Sequence, residues 1–250
     1  MTTLQRSVLG AAVLALVPTG AQAEVSSIGS AVIKMREFND VPTAIVASGG
    51  AYPSLLTFVE AGVSAPSGFA NRDVWRFSAD GVNPYTFGND EYFQVTMELT
   101  LSGLPGTPRK EAGFLLTSAG GDGQFIVNTD AHEVVAFGGP FPFFAFPTTF
   151  NSGETITLGI TYVPTDAGVR SIIYSADGVS SPMLPLTNLE QGIIDGSTLG
   201  GYLQVVNDPA NPSNTGSAEF RNISIQQVPE ASPLALLALG LLMLCRRGRR

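Results

Sequence analysis

The sequence predicts an all-β protein, an antiparallel β-sandwich of the jelly-roll type, because three observations agree. Apolar and polar residues alternate over 93–101 and again over 156–162, which is the pattern of strands with one buried face. Clusters drawn from 28 glycines and 17 prolines separate short apolar segments, as turns do. The middle region has no sustained 3.6-residue period. We expect a signal helix before this sandwich and a short transmembrane helix after it.

Residues 1–23 are predicted to be a secretory signal peptide. Arg6 supplies a positive charge, Val8–Val17 is apolar, and Ala21 and Ala23 form the small-x-small pattern of a cleavage site. The apolar segment is too short to span a bilayer and ends in a processing site. We therefore expect export, with cleavage after Ala23.

The β-sandwich domain is predicted to cover residues 24–226, and its composition limits its chemistry. Between Glu24 and Glu230 there are eight basic and 21 acidic residues, a net charge of −13, which disfavours nucleic acid as a partner. The only cysteine, Cys245, lies in the C-terminal tail, and His132 is the only histidine. Disulfides, thiolate sites and multi-histidine metal sites are therefore not expected in this domain.

Some strands of this domain can be located clearly from the sequence, and others cannot. "EYFQVTMELTL" and "ETITLGITYV" each put their apolar residues on one face, and Ala176-Asp177-Gly178 suits a hairpin tip. Trp75 in "DVWRF" is expected in the core. Residues 24–70 are less regular, and "SAVIKMREF" and "SLLTFVEAGV" are compatible with strands or with short helices.

No catalytic residues are predicted. A jelly-roll glycoside hydrolase needs two carboxylates across one sugar ring, and no Glu-x-Asp-x-x-Glu run supplies them. No cofactor is expected, although a structural calcium ion is an open alternative because calcium prefers carboxylate and amide oxygens. Its candidate ligands are Asp122, Asn128, Asp130 and Asp208.

The segment "GGPFPFFAFPTTF" (138–150) concentrates aromatic residues in a stretch that prolines exclude from the centre of a sheet. One interpretation is an exposed platform for sugars or a partner, built from Phe141, Phe143, Phe144 and Phe146. The other, which we favour, is a loop folded over one end of the sandwich with its rings in the core.

Residues 227–250 have three parts: Val228, Pro229 and Glu230, then the apolar run Leu234–Cys245, then the cluster of Arg246, Arg247, Arg249 and Arg250. Arginines at this place stop a segment from crossing the membrane. This order resembles the PEP-CTERM sorting signal of Gram-negative bacteria, with Ala231 where the family has a second proline. The resemblance implies the export machinery and an exosortase-type protease as partners, a transient inner-membrane tether, and a final location that is the cell surface or extracellular.

The strand order from "EAGFLL" to "AEFRNISI" resembles the concanavalin A-like lectin/glucanase jelly roll, and the resemblance to PEP-CTERM proteins implies a link to extracellular polysaccharide. With no catalytic motif in view, we expect a non-catalytic exported protein that binds carbohydrate or matrix. The alternatives are a secreted polysaccharide-active glycoside hydrolase on the same fold, or a purely structural surface protein.

Overall fold

The computed structural model describes residues 25–106, 108–164, 169–186 and 194–228. The predicted signal peptide, and the sorting segment from Pro229 onward with its apolar run and arginine cluster, lie outside these residues and stay predictions. Within the described ranges, no helix is long and apolar enough to cross a membrane.

The described chain contains fifteen β-strands and one short 3-10 helix, Val25–Ser27. The strands are β1 (Ser30–Asn39), β2 (Ile45–Ala51), β3 (Leu55–Ala61), β4 (Ala70–Ser78), β5 (Phe93–Gly103), β6 (Lys110–Ser118), β7 (Gly121–Asn128), β8 (Val134–Phe137), β9 (Phe144–Ala145), β10 (Thr155–Pro164), β11 (Arg170–Ala176), β12 (Val179–Ser180), β13 (Leu184–Pro185), β14 (Thr198–Val206) and β15 (Thr215–Gln227).

The strands form two antiparallel sheets that pack face to face, which confirms the expected β-sandwich. Sheet A has the order β1-β4-β14-β6-β7-β8-β9, and sheet B has the order β12-β11-β10-β5-β15-β3-β2, with β13 paired to β11. Several neighbouring strands are distant in the sequence, such as β4 and β14 in sheet A and β5 and β15 in sheet B. Consequently each sheet face collects side chains from separate parts of the chain.

The core lies between the sheets and follows the alternation read from the sequence. Phe93, Val95 and Met97 of β5 are buried, whereas the intervening residues are more exposed. Trp75 of β4 is fully buried and meets Phe220 of β15 with ring centroids 5.9 Å apart. The prediction of a core role for Trp75 is therefore confirmed.

The structure also decides the segments that the sequence left open. "SAVIKMREF" and "SLLTFVEAGV" supply β1 and β3, so both form strands and not helices. Asp177 and Gly178 have φ values of 47° and 80° and join β11 to β12, which is the left-handed geometry of a tight hairpin turn. The hairpin prediction at this position is confirmed.

A bulge in β1 turns a charged side chain into the sandwich. Lys34 pairs with Val74 and Phe38 pairs with Arg72, so three residues of β1 lie opposite Asp73. The middle one, Arg36, has a φ of 51° and donates its backbone N–H to Asp73 Oδ1 at 2.8 Å. Its guanidinium then reaches Glu60 Oε1 of sheet B at 3.0 Å. This bulge produces a buried charged cluster and changes the aim of the residues that follow it.

Candidate functional site

The face of sheet A that points away from sheet B carries a row of polar side chains. Strand register pairs Phe38 with Arg72, Arg72 with Gln204, Gln204 with Glu111, and Glu111 with Asn128. Directly opposed residues of an antiparallel pair share one face and lie about 5 Å apart. The row therefore crosses five neighbouring strands of this outward face.

Arg72 is the centre of a hydrogen-bonded network on the outward face. Its Nε donates to Gln204 Oε1 at 2.9 Å, and a terminal nitrogen donates to Asp122 Oδ2 at 3.1 Å. Its guanidinium also lies over the ring of Tyr202, 5.1 Å from the centroid. The residue of β7 in the cross-strand row of Arg72 is Asn128, and Asp122 lies six residues away from it along the strand. Arg72 can therefore reach Asp122 only if the sheet curves toward its outward face. The outward face is therefore concave.

Glu111 is the buried acceptor for several donors of this network. Its Oε1 accepts hydrogen bonds from Tyr202 Oη and Gln204 Nε2, both at 3.0 Å, and its Oε2 accepts one from Arg109 at 3.3 Å. Burial raises the pKa of Glu111 more than the bond from Tyr202 and the charges of Arg109 and Arg72 lower it. Burial and the neighbouring Glu111 raise the pKa of Tyr202 well above its ordinary value. Tyr202 is therefore a neutral, buried support for Arg72.

A second arginine lies on the same face with its own carboxylate. One terminal nitrogen of Arg76 donates to both oxygens of Glu37, at 2.9 and 2.8 Å, and its Nε donates to Thr198 at 3.2 Å. Burial raises the pKa of Glu37, but the hydrogen bond and charge of Arg76 and the charge of Lys34 outweigh burial and lower it. Glu37 is consequently ionised at neutral pH.

These groups surround a pocket of about 380 Å³ on the concave face. Its lining residues are Glu37, Phe38, Phe69, Arg72, Arg76, Thr117, Asp122 and Gln204. A buried apolar cluster lies on the same outward face of sheet A and consists of Val74, Leu115, Ile126, Val135 and Tyr202. A concave polar pocket with two arginines and two carboxylates is suited to an anionic polar ligand.

Among the four candidate calcium ligands, the structure separates Asp122 from Asn128. Asp122 and Asn128 lie six residues apart on β7, about 20 Å in an extended strand, so they cannot share an ion. Asp130 accepts hydrogen bonds from Arg109, and Asp208 accepts one from the backbone of Ala210. No group of three or more histidine, cysteine, aspartate or glutamate side chains among the described residues is arranged to hold a metal. Of the four, only Asp122 lines the pocket.

The aromatic segment 138–150 mostly faces the core, as the favoured interpretation expected. Phe141 and Phe146 are buried and contact Tyr174 and Phe125, respectively, so the platform interpretation is wrong for these two. Phe144 in the short edge strand β9 packs against Phe146. Phe143 is 71% exposed but does not line the concave pocket.

Arg72, Arg76 and Gln204 belong to no motif that would identify them in the sequence as site residues. One signal was available: Arg72 and Arg76 are two of only eight basic residues in the central region, and their spacing puts both on one face of a strand. Their partners Asp122 and Gln204 come from strands far along the chain. That pairing depends on the register of sheet A.

No protein-family model and no curated protein matches this sequence. Solved structures do match, and those below are polysaccharide lyases. An alginate lyase from Pseudomonas aeruginosa matches with a TM-score of 0.52 and 15% identity, over 72% of this chain and 86% of that one. An alginate lyase from Corynebacterium sp. matches with a TM-score of 0.49 and 12% identity, over 72% and 83%. A polysaccharide lyase of family 18 matches with a TM-score of 0.46 and 14% identity, over 82% and 96%.

The match to the Pseudomonas enzyme supports the jelly-roll sandwich and corrects the expected function. The expectation of a non-catalytic protein is not upheld, because the Pseudomonas structure that shares this fold is an alginate lyase. The sequence gives no sign of this pocket, because no single strand supplies two carboxylates to it. The concave pocket instead takes Glu37 and Asp122 from different strands. At 15% identity the likeness shows the fold, so the reaction has to be argued from the pocket.

Proposed function

We propose that this protein is a polysaccharide-active enzyme, a lyase that cleaves uronate-containing chains by β-elimination. The observation that carries the proposal is the pairing of Arg72 with Gln204 and Asp122 in the concave pocket. An elimination of this kind needs a cation and hydrogen-bond donors at the uronate carboxylate, and a base beside the adjacent carbon. The pocket contains both kinds of group.

Arg72 and Gln204 are proposed to hold the carboxylate of the sugar. A guanidinium binds a carboxylate with two parallel hydrogen bonds and neutralises its charge. Gln204 is oriented at both ends, since its Oε1 accepts from Arg72 and its Nε2 donates to Glu111. The second N–H of Nε2 can donate to a substrate oxygen. Neutralising the carboxylate makes the C5 proton acidic enough to be removed.

Asp122 is proposed to be the base. In the free protein its carboxylate binds Arg72 at 3.1 Å, so an incoming uronate carboxylate replaces it and leaves it beside C5. Asp122 takes the C5 proton, the released electron pair forms the C4–C5 double bond, and the C4–oxygen bond breaks. The leaving oxygen then receives a proton from the carboxylic acid of Asp122, and the residue returns to its ionised form.

Hydrolysis in the same pocket is disfavoured by its electrostatics. A glycoside hydrolase needs one carboxyl group that stays protonated to act as the acid. Glu37 has a lowered pKa beside Arg76, and Asp122 is paired with Arg72. Glu111 does have a raised pKa, but it is buried beneath the pocket. Elimination is therefore the better match to these groups.

The test is to incubate the protein with sodium alginate and with a neutral β-glucan while following ultraviolet absorbance. Elimination from the uronate polymer produces a double bond conjugated to the carboxylate, which absorbs, and the neutral polymer gives no signal. Arg72→Ala and Asp122→Asn are expected to lose the signal by at least about a hundredfold. Arg221→Ala, which removes an arginine of the exposed Glu219 pair on β15, is the matched control and is expected to keep it. Retained activity in Asp122→Asn would exclude this residue as the base.

We also propose that the enzyme works outside the cell. This proposal rests on the signal peptide pattern of residues 1–23 and on the likeness of residues 227–250 to a sorting signal. Removal of the tail by an exosortase-type protease would release the sandwich toward extracellular polysaccharide. Mass spectrometry of the mature protein tests it, because an intact Arg250 in the exported form contradicts tail removal.

A further inference from the structure

Two phenylalanine rings line the concave pocket with much of their surface exposed. Phe38 is 39% exposed and Phe69 is 56% exposed. Their ring centroids are 6.3 Å apart with an interplanar angle of 62°, so the pair meets edge to face. Large exposed aromatic side chains next to polar groups are typical of a binding surface.

The bulge in β1 aims Phe38 into the pocket. Because Arg36 turns inward to Glu60, Phe38 regains register with Arg72 on the outward face. Glu37, its immediate neighbour, also lines the pocket. Consecutive residues of a regular strand face opposite ways, so this shared orientation is a product of the bulge. Bulges often re-aim a side chain at an active site.

The backbone around Phe69 is fixed on both sides. Its N–H donates to Asp40 Oδ2 at 2.8 Å, and its carbonyl accepts from the backbone N–H of Asn207 at 2.7 Å. Gly68 before it has a φ of +103°, and a Cβ there would lie 2.8 Å from the carbonyl oxygen of Asp40. An exposed ring is therefore presented from a rigid loop, which limits the entropy lost when a ligand binds.

We propose that Phe38 and Phe69 form a sugar-stacking subsite, which holds the pyranose ring next to the one bound by Arg72. This inference rests on the proposed lyase function. The occupant follows from continuity, because Phe38 is the neighbour of Arg72 in the same cross-strand row and both line one pocket. The apolar C–H face of a pyranose covers a phenyl ring, while its carboxylate and hydroxyls remain near Arg72 and Arg76. The subsite thus makes the enzyme prefer chains over short fragments.

The experiment compares steady-state kinetics of Phe38→Ala, Phe69→Ala and the double variant on alginate polymer and on its shortest cleavable oligosaccharides. Each single change is expected to raise KM for the polymer on the order of fivefold with kcat nearly unchanged, because stacking contacts of this size are modest. The effect should shrink for fragments too short to reach the subsite. Phe38→Tyr should restore the polymer KM. Phe143→Ala, which removes a phenylalanine that is more exposed than either ring and lies outside the pocket, is the matched control and should behave as wild type.

The outcomes separate this inference from the lyase proposal. An active wild type with an unchanged double variant overturns the subsite and leaves the lyase standing. An inactive wild type overturns the lyase, and mobility in gels containing alginate then decides the subsite. Stronger retardation of the wild type than of the double variant supports stacking, and equal retardation refutes it.

Discussion

Asp73→Asn is expected to flatten the pH dependence of folding stability. Asp73 and Glu60 are both fully buried between the sheets, and Asp73 Oδ2 has no hydrogen-bond donor among the residues the structure describes. Glu60 accepts from Arg36 and from Asn71, both at 3.0 Å. Burial, and after it the charge of Glu60, raise the pKa of Asp73 to about 7, against a bond from the Arg36 N–H that lowers it. Protonated Asp73 can donate to Glu60, which removes the repulsion.

The magnitude follows from proton linkage. The pKa of Asp73 rises from an ordinary 3.8 to about 7 on folding, and each tenfold change in proton affinity is worth about 1.4 kcal/mol, so the full difference is about 4 kcal/mol. A raised pKa means that the folded state binds the proton more tightly. This stabilisation is complete below about pH 4 and is lost as pH rises to about 7.

The assay is urea unfolding across this pH range, followed by the fluorescence of Trp75, the only tryptophan. An asparagine keeps the acceptor for the Arg36 N–H and can donate to Glu60 at every pH. Asp73→Asn should match the wild type near pH 4 and exceed its free energy of unfolding near neutral pH by up to about 4 kcal/mol. Asp90→Asn, at an exposed salt bridge with Arg170, is the control. A constant difference between Asp73→Asn and wild type at all pH values would refute the reasoning.

Three further predictions follow from the same contacts. Tyr202→Phe should lower the free energy of unfolding by about 1–2 kcal/mol, because it removes a buried hydrogen bond. It should keep kcat within about threefold, because the ring lies beneath Arg72. A loss of kcat beyond about a thousandfold would make Tyr202 catalytic. Gly68→Ala should lower the unfolding free energy by at least about 1 kcal/mol, since its φ is +103° and its Cβ would meet Asp40; unchanged urea unfolding contradicts this. His132→Asn should leave the pH profile of kcat unaltered because His132 does not line the pocket; a lost ionisation in that profile would implicate it.

A strand could be predicted from the sequence where its own residues show the full alternation of apolar and polar positions. The apolar residues of β5 and β10 alternate strictly, and each strand buries that alternating set. The turn at Asp177 and Gly178 is equally local. Within residues 24–70, which the sequence shows as less regular, β1 is bulged at Arg36, and β2 lies at a sheet edge with much of its surface exposed. Neither strand therefore has a clean period.

The pocket could not be predicted from the sequence, because its residues come together only through the pairing of strands that are far apart along the chain. Gln204 and Arg72 are 132 residues apart, and Asp122 and Arg72 are 50 apart. The crowded phenylalanines of 138–150 attracted notice, whereas isolated Phe38 and Phe69 form the exposed pair. The aromatic residues that are dense in the sequence, those of 138–150, thus belong mostly to the core. The binding surface depends on a bulge and a sheet pairing that no single segment shows.

We propose elimination at Arg72 as the reaction by which the concave pocket cleaves uronate polymers. Mass spectrometry of the products from sodium alginate measures this directly, because elimination products are one water lighter than the products of hydrolysis. We predict the lighter oligosaccharides for the wild type and for Arg221→Ala, and their loss in Arg72→Ala. Products of full hydrolytic mass, or equal yields from Arg72→Ala and Arg221→Ala, would contradict it.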